Sequence, residues 1–342
     1  MKKILLFPIV LFSALIGLTQ ALPRSTPQAE NVDPAAFTNY FEDVKQNKQE
    51  LHSLMVLRNG KVISENWFGD NAPDKNHVMY SVSKTFAATA VGFAIHEKKL
   101  KLDDKVISFF KDSLPENISP NLAAMEIRHL LTMTVGHSTE AMDKIREGKQ
   151  SWERIFLAHP VEYKPGEKFL YNSLATYMLS AIMQKVTGQT LMQYLEPRLF
   201  QPLGIKDIEW QSSPSGVNIG GWGMFIKTED MAKLGQLFLQ DGSWNGKQIV
   251  PKDWILEARK AHVVQPPQWI QAGADLSASD WTQGYGYQMW RCRNNAYRAD
   301  GLNGQFIIVV PEKNAVIVTT ANIPNMQEEI NLIWKHILPA FK

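Results

Sequence analysis

The sequence predicts an α+β fold in which both ends of the chain build one antiparallel sheet around a largely helical middle. Three observations predict it. A strong hairpin pattern stands near the beginning, helical periodicity and short helices fill the centre, and the last third returns to short strand-like segments.

The chain opens Met1-Lys2-Lys3, runs apolar from Ile4 to Leu18 and then reaches Thr19-Gln20-Ala21. A basic start, an apolar run and a small exit residue mark residues 1–21 as a secretory signal, with an exported, periplasmic or secreted bacterial protein as the product. A membrane anchor is the competing reading, but the run is shorter than the roughly 20 residues a spanning helix needs. No other stretch is long and apolar enough to span a bilayer. Residues 22–35, with Pro23, Pro27 and Pro34, read as a leader into the fold.

Ser53 to Arg58 alternates around Leu54 and Val56, Asn59-Gly60 makes a tight turn, and Lys61 to Phe68 returns. Asn-Gly accepts positive φ at both turn positions, which matches strand twist. From Val82 to Lys98 the period becomes helical, with so many apolar and small residues that the helix must be buried on most sides. Short helices and loops follow to His159. Further helices run over Ala175–Thr187, stopped by Gly188, over Leu191–Phe200, interrupted at Pro197, and over Thr228–Gln240. Tyr285–Trp290, Ala296–Ala299, Gln305–Val310 and Ala315–Thr320 read as strands, and Met326–Ile337 as a final helix.

Loss of residues 1–21 removes two lysines and no acid, which takes the formal charge from +2 to about zero. Blocks of like charge are absent, so nucleic-acid binding is set aside. The single Cys292 excludes an internal disulfide and, standing far from the cleavage site, a lipid anchor there.

Three segments carry candidate chemistry. In Tyr80-Ser81-Val82-Ser83-Lys84-Thr85-Phe86, Ser81 stands where loop gives way to the buried helix, at the positive end of its dipole. Positions i and i+3 share a helix face, so the Lys84 amine can reach the Ser81 hydroxyl. An amine on an apolar helix loses hydration, its pKa falls, and the neutral form can accept the serine proton. The plainer reading makes Ser81 an N-cap and Lys84 a surface residue, which fits poorly with the apolar residues that follow. In Lys164-Pro165-Gly166-Glu167-Lys168-Phe169-Leu170-Tyr171-Asn172-Ser173, Tyr171 and Ser173 can share a site if the backbone is extended, or Tyr171 can simply pack on the core. In Tyr297-Arg298-Ala299-Asp300-Gly301-Leu302-Asn303-Gly304-Gln305, the glycines either admit a ligand close to the backbone, whose free N–H groups could hold an oxyanion, or make a tight hairpin.

Together the three segments resemble the penicillin-recognising serine hydrolases, in the branch of class C β-lactamases and D-Ala-D-Ala carboxypeptidases. Their motif forms are nearest to 6-aminohexanoate-dimer hydrolase-like and esterase-like members. That family has Ser-x-x-Lys, then Tyr-x-Asn, then Lys-Thr-Gly or His-x-Gly on a strand. Ser81 and Lys84 match the first motif in full. Tyr171 matches the second, with Ser173 where Asn is usual. Gly301 fits the third, whose cation is either missing or replaced by Arg298, depending on strand register. Leu102-Asp103-Asp104-Lys105-Val106, Ile127 to Thr134, Thr187-Gly188-Gln189, Pro202-Leu203-Gly204-Ile205 and Gly220-Gly221-Trp222-Gly223 also look like family signposts.

The resemblance implies a β-lactamase/transpeptidase-like fold for residues 22–342, with a sheet lobe over about 36–80 and 215–342 and a helical lobe over about 81–214. It implies a covalent acyl-enzyme on Ser81, with Lys84 and Tyr171 as proton-transfer partners. The backbone N–H groups of Ser81 and Leu302 would form the oxyanion hole, and Ser173, Arg298 and Gly301 would contact substrate. Small esters or amides are expected ahead of β-lactams and cell-wall peptides, because the cation that binds a substrate carboxylate has no clear equivalent. A non-catalytic ligand-binding protein on the same fold is the rival from another class. No cofactor or metal is expected, since His129 and His137 lack ligand spacing. A Gly-x-Ser-x-Gly elbow is absent. The segment from Gln265 to Gln283, rich in Pro, Ala, Ser and Trp, is expected to shape one wall of the site.

Overall fold

The computed structural model describes residues 21–148 and 150–342. The expected export signal therefore lies outside the described residues, apart from Ala21. Among the described residues no helix is long and apolar enough to cross a membrane.

The frame is a six-stranded antiparallel sheet. Its order is Lys61–Trp67, Leu51–Arg58, Ala315–Ala321, Gln305–Val310, Tyr297–Gly301 and Trp290–Arg291. The first hairpin thus pairs directly with the last strand of the chain, and Leu54 stands opposite Thr319 in that register. The α+β class with a sheet made from both chain ends is what the grouping of strand signals dictates. Asn59 and Gly60 take φ of 53° and 78°, the left-handed pair that closes a tight hairpin. Gln305–Val310 and Ala315–Ala321 are buried along their whole length. That is why they read as continuous apolar runs instead of alternating ones.

The helix Thr228–Leu239 packs on the central strands. Ala35–Gln46 and Met326–Leu332 pack on each other, and the latter continues through a π-helical turn at Ile333–Ile337. In the helical middle, Ser83–His96 packs against Ser173–Thr187. The first of these is buried from Ser83 to Ala94, as its all-round apolar composition requires. The second starts at an Asn172 cap that accepts from the Leu174 and Ala175 amides and ends at Gly188 with φ 69°.

One strand expectation is corrected. Of the expected strand Tyr285–Trp290 only Trp290 enters the six-stranded sheet, as the start of Trp290–Arg291, while Tyr285 makes isolated bridges to Val263 and Trp290. The chain turns at Gln288, whose φ is 59°. The buried Gln288 amide donates to the Leu130 and Leu131 carbonyls, and Thr176 Oγ1 donates to its side-chain oxygen. Thr85 Oγ1 donates to the Gln288 backbone carbonyl at 3.0 Å. A residue whose side chain and backbone carbonyl together bind both central helices outweighs strand propensity here.

Candidate active site

The segment leading to Ser81 is held at both ends. Met79 N donates to the Met224 carbonyl at 2.9 Å. Tyr80 then adopts φ 44°, an uncommon conformation for a residue with a side chain. Ser83 Oγ donates to the Tyr80 carbonyl at 2.6 Å and fixes that bend. Ser81 follows in a single 3₁₀ turn, Tyr80–Val82, which runs straight into the helix from Ser83. The strained residue therefore stands directly before the hydroxyl that the sequence singles out.

Lys84 is almost wholly enclosed, with 1% of its surface exposed. Its Nζ lies 2.8 Å from Ser81 Oγ, 3.2 Å from Ser173 Oγ and 2.6 Å from the Gly221 carbonyl. Nζ is placed to donate to all three oxygens; once the amine is neutral, two N–H groups can serve the carbonyl and the Ser173 hydroxyl while the lone pair faces Ser81. Burial pushes the Lys84 amine down to about 7, against the opposing pull of Glu140 and Asp300. The Gly221 carbonyl reaches the amine because its Cα lies against the Ser173 backbone; a Cβ there would stand 2.7 Å from the Ser173 carbonyl oxygen. The Gly220-Gly221 signpost thereby acquires a physical role.

Tyr171 stacks on Trp290, with ring centroids 5.6 Å apart, and Lys84 Nζ lies 5.0 Å from the Tyr171 centroid. Burial holds its phenol well above the ordinary tyrosine range; Asp300 adds to this, and a hydrogen bond with Ser81 opposes it. The phenol is therefore protonated at neutral pH while the neighbouring amine is close to its titration point. Glu140 accepts from the Ser173 amide, and burial raises its carboxyl.

Ser81, Tyr171 and Leu302 line one cleft of about 580 Å³. Its walls are chiefly apolar, with Trp269, Trp281, Trp290 and Met326 among them, and no lysine, arginine or histidine faces it among the described residues. Trp269, Ile270, Ser279 and Trp281 come from the Gln265–Gln283 segment. Asp280 anchors that segment. Its carboxylate is buried and accepts from Arg293 Nη2 at 2.7 Å, Gln327 Nε2 at 2.8 Å and Trp334 Nε1 at 3.1 Å. Asp280→Ala is expected to cost about 2–4 kcal/mol in denaturant unfolding, because it strands buried donors and the Arg293 charge. The loosened wall should show as increased proteolysis near Trp269.

Two sequence expectations are corrected. Arg298 does not face the cleft: it is wholly buried. Its Nε donates to Asp300 Oδ2 at 2.8 Å, and its Nη1 donates to the Asp280 carbonyl at 2.8 Å and meets the Cys292 sulfur at 3.0 Å. The residue of that strand that does reach the cleft is Asp300, an acid. Gly301 does not line the cleft either. It is buried, and a Cβ there would collide with the Met79 carbonyl, so the glycine lets the strand close on the Ser81 segment. Ser173 faces Lys84 through its hydroxyl, and Leu302 is 56% exposed at the cleft mouth.

A family model described as Beta-lactamase matches residues 42–339, and the chain belongs to that family, a hydrolase family with the β-lactamase and penicillin-binding-protein fold. The 6-aminohexanoate-dimer hydrolase of Paenarthrobacter ureafaciens is 23% identical over 332 residues, covering 88% of this chain and 80% of that protein. A Bacillus anthracis structure provisionally named as a 6-aminohexanoate-dimer hydrolase superposes with a TM-score of 0.74 at 19% identity, covering 94% of this chain and 87% of the other. The structure of EstCE1, described as a hydrolase with promiscuous acyltransferase activity, gives a TM-score of 0.67 at 19% identity over 90% of this chain and 97% of its own.

Proposed function

We propose that this protein is a serine hydrolase that opens small esters or amides through a covalent acyl-enzyme on Ser81. The observation that carries the reading is the enclosed Lys84 amine 2.8 Å from the Ser81 hydroxyl. In the first half-reaction neutral Lys84 takes the Ser81 proton, and Oγ adds to the substrate carbonyl carbon. The resulting oxyanion is held by the backbone N–H groups of Ser81 and Leu302. Tyr171 donates its proton to the leaving oxygen or nitrogen as the bond to the acyl carbon breaks, and recovers one from Lys84. In the second half-reaction water replaces the leaving group and the same steps run in reverse, releasing the acid. The opposite directions of the two pKa shifts support this division of labour, with the amine as base and the phenol as proton donor.

The apolar cleft and the lack of a facing cation support esters and amides ahead of β-lactams, whose carboxylate would find no cation. The names of the relatives, a 6-aminohexanoate-dimer hydrolase and a hydrolase with promiscuous acyltransferase activity, agree with that order. Incubation of the residue 22–342 protein with an alkyl fluorophosphonate is expected to add one phosphonyl group, seen by intact mass and mapped to Ser81. Ser81→Ala should add none and should not hydrolyse p-nitrophenyl butyrate. A protein that never acylates would favour the non-catalytic reading. Fast turnover of a chromogenic cephalosporin beside inertness to nitrophenyl esters would reverse the substrate order.

A further inference from the structure

The strand Tyr297–Gly301 places Arg298 and Asp300 on one face, since alternate residues of a strand share a side. The two form an ion pair of 2.8 Å, in which the Arg298 side chain is fully enclosed and that of Asp300 is 9% exposed. Only the acid reaches the cleft that holds Ser81. The guanidinium lies behind Trp281, 4.4 Å from its ring centroid, and its Nη2 has no hydrogen-bond partner among the described residues. The cleft around Asp300 is chiefly apolar and holds no other charged side chain among the described residues, so a charged group entering there sheds water and finds only neutral polar groups such as Ser279, Asn325 and Gln327.

We propose that Asp300 sets the substrate class of this site by masking the buried Arg298 cation. The cleft then accepts acyl groups without charge and turns away those that carry a carboxylate close to the scissile bond. This rests on the acyl-transfer reading of Ser81. An entering carboxylate meets the like charge of Asp300 at short range, while the arginine that would attract it is already engaged and screened by the Trp281 ring. Loss of the mask removes the carboxylate paired with the guanidinium and leaves only the more distant charge of Asp280 against it, and that favours the same carboxylate. Asp300 is thus a specificity residue and takes no part in bond making.

The test compares two p-nitrophenyl esters of equal length, one a glutaric monoester with a free carboxylate and one its terminal carboxamide. With the wild-type protein, kcat/KM should favour the carboxamide by about 30-fold or more, as a like charge held close in a dry site demands. In Asp300→Asn that ratio should fall by about tenfold or more, chiefly through KM of the anionic ester. The paired change Asp300→Asn with Arg298→Gln removes mask and cation together and should abolish the gain seen in Asp300→Asn. A wild-type ratio near one, or a folded Asp300→Asn with an unchanged ratio, overturns the proposal. Should the single variant fail to fold, the wild-type ratio alone decides. Labelling of Ser81 by fluorophosphonate separates the two failures. A labelled protein that treats both esters alike defeats the Asp300 proposal alone. A protein that neither labels nor cleaves either ester defeats the acyl-transfer reading, and this one with it.

Discussion

Lys84→Met is expected to lower the rate of acyl-enzyme formation on p-nitrophenyl butyrate by about 10³–10⁴-fold while making the folded protein more stable at pH 6. The first effect follows from the geometry: the amine is 2.8 Å from the Ser81 oxygen, and methionine offers no proton acceptor at that place. The second follows from linkage. Burial holds the Lys84 amine at about 7 in the folded chain, against an ordinary 10.5. Between those two values the unfolded chain binds the proton and the folded chain does not, so stability rises with pH across that window. Below pH 7 the folded state must accommodate a buried ammonium, and the whole cost is present. Methionine keeps the volume and removes the charge. A gain of about 1–3 kcal/mol in urea unfolding at pH 6, shrinking towards pH 10, is the expected signature. Glu140 and Asp300 face the ammonium and hold the gain to the lower part of that range. A variant that loses activity and also loses stability at pH 6 would mean that Lys84 is a structural cation.

The parts of this site that could be read in the sequence are those set by local geometry. Ser81 and Lys84 are three residues apart where a 3₁₀ turn runs into a helix too apolar to face water, so their meeting follows from local helical spacing. The hairpin at Asn59-Gly60 was equally plain, because the two positive φ values leave few alternatives to that dipeptide. The third segment shows where such reading stops. Arg298 and Asp300 have the same strand parity, so periodicity puts both on one face and cannot say which head group reaches the cleft. The answer is set by Trp281 and the Asp280 carbonyl, which enclose the guanidinium and arrive from a loop with no period of its own. Glu140 was passed over for a related reason. Its place beside the Ser173 amide depends on how an irregular stretch between short helices folds back, and no local spacing encodes that. Gln288 sits within a stretch of strand-like residues and still turns, because its amide is required at the Leu130 and Leu131 carbonyls.

Tyr171→Phe should distinguish substrates by leaving group. The phenol lies well above its ordinary range and stays protonated, which on the proposed mechanism suits it to protonate the leaving group. A p-nitrophenolate leaves without protonation, whereas an alkoxide or an amine anion does not. The variant is therefore expected to lose about tenfold in kcat/KM on p-nitrophenyl butyrate and about 10³-fold on the ethyl ester or anilide of the same acid. The ring itself is preserved, with its stacking on Trp290 at 5.6 Å, so fold and cleft shape carry over. For the wild type, log kcat/KM on the activated ester should drop with unit slope below about pH 7, where Lys84 takes up a proton, and stay level above it. In Tyr171→Phe that limb should persist, since the amine remains the base. Equal losses on all three leaving groups would mean that the phenol only orients the Ser81 hydroxyl. A vanished acid limb would mean that the phenol, and not the amine, receives the serine proton.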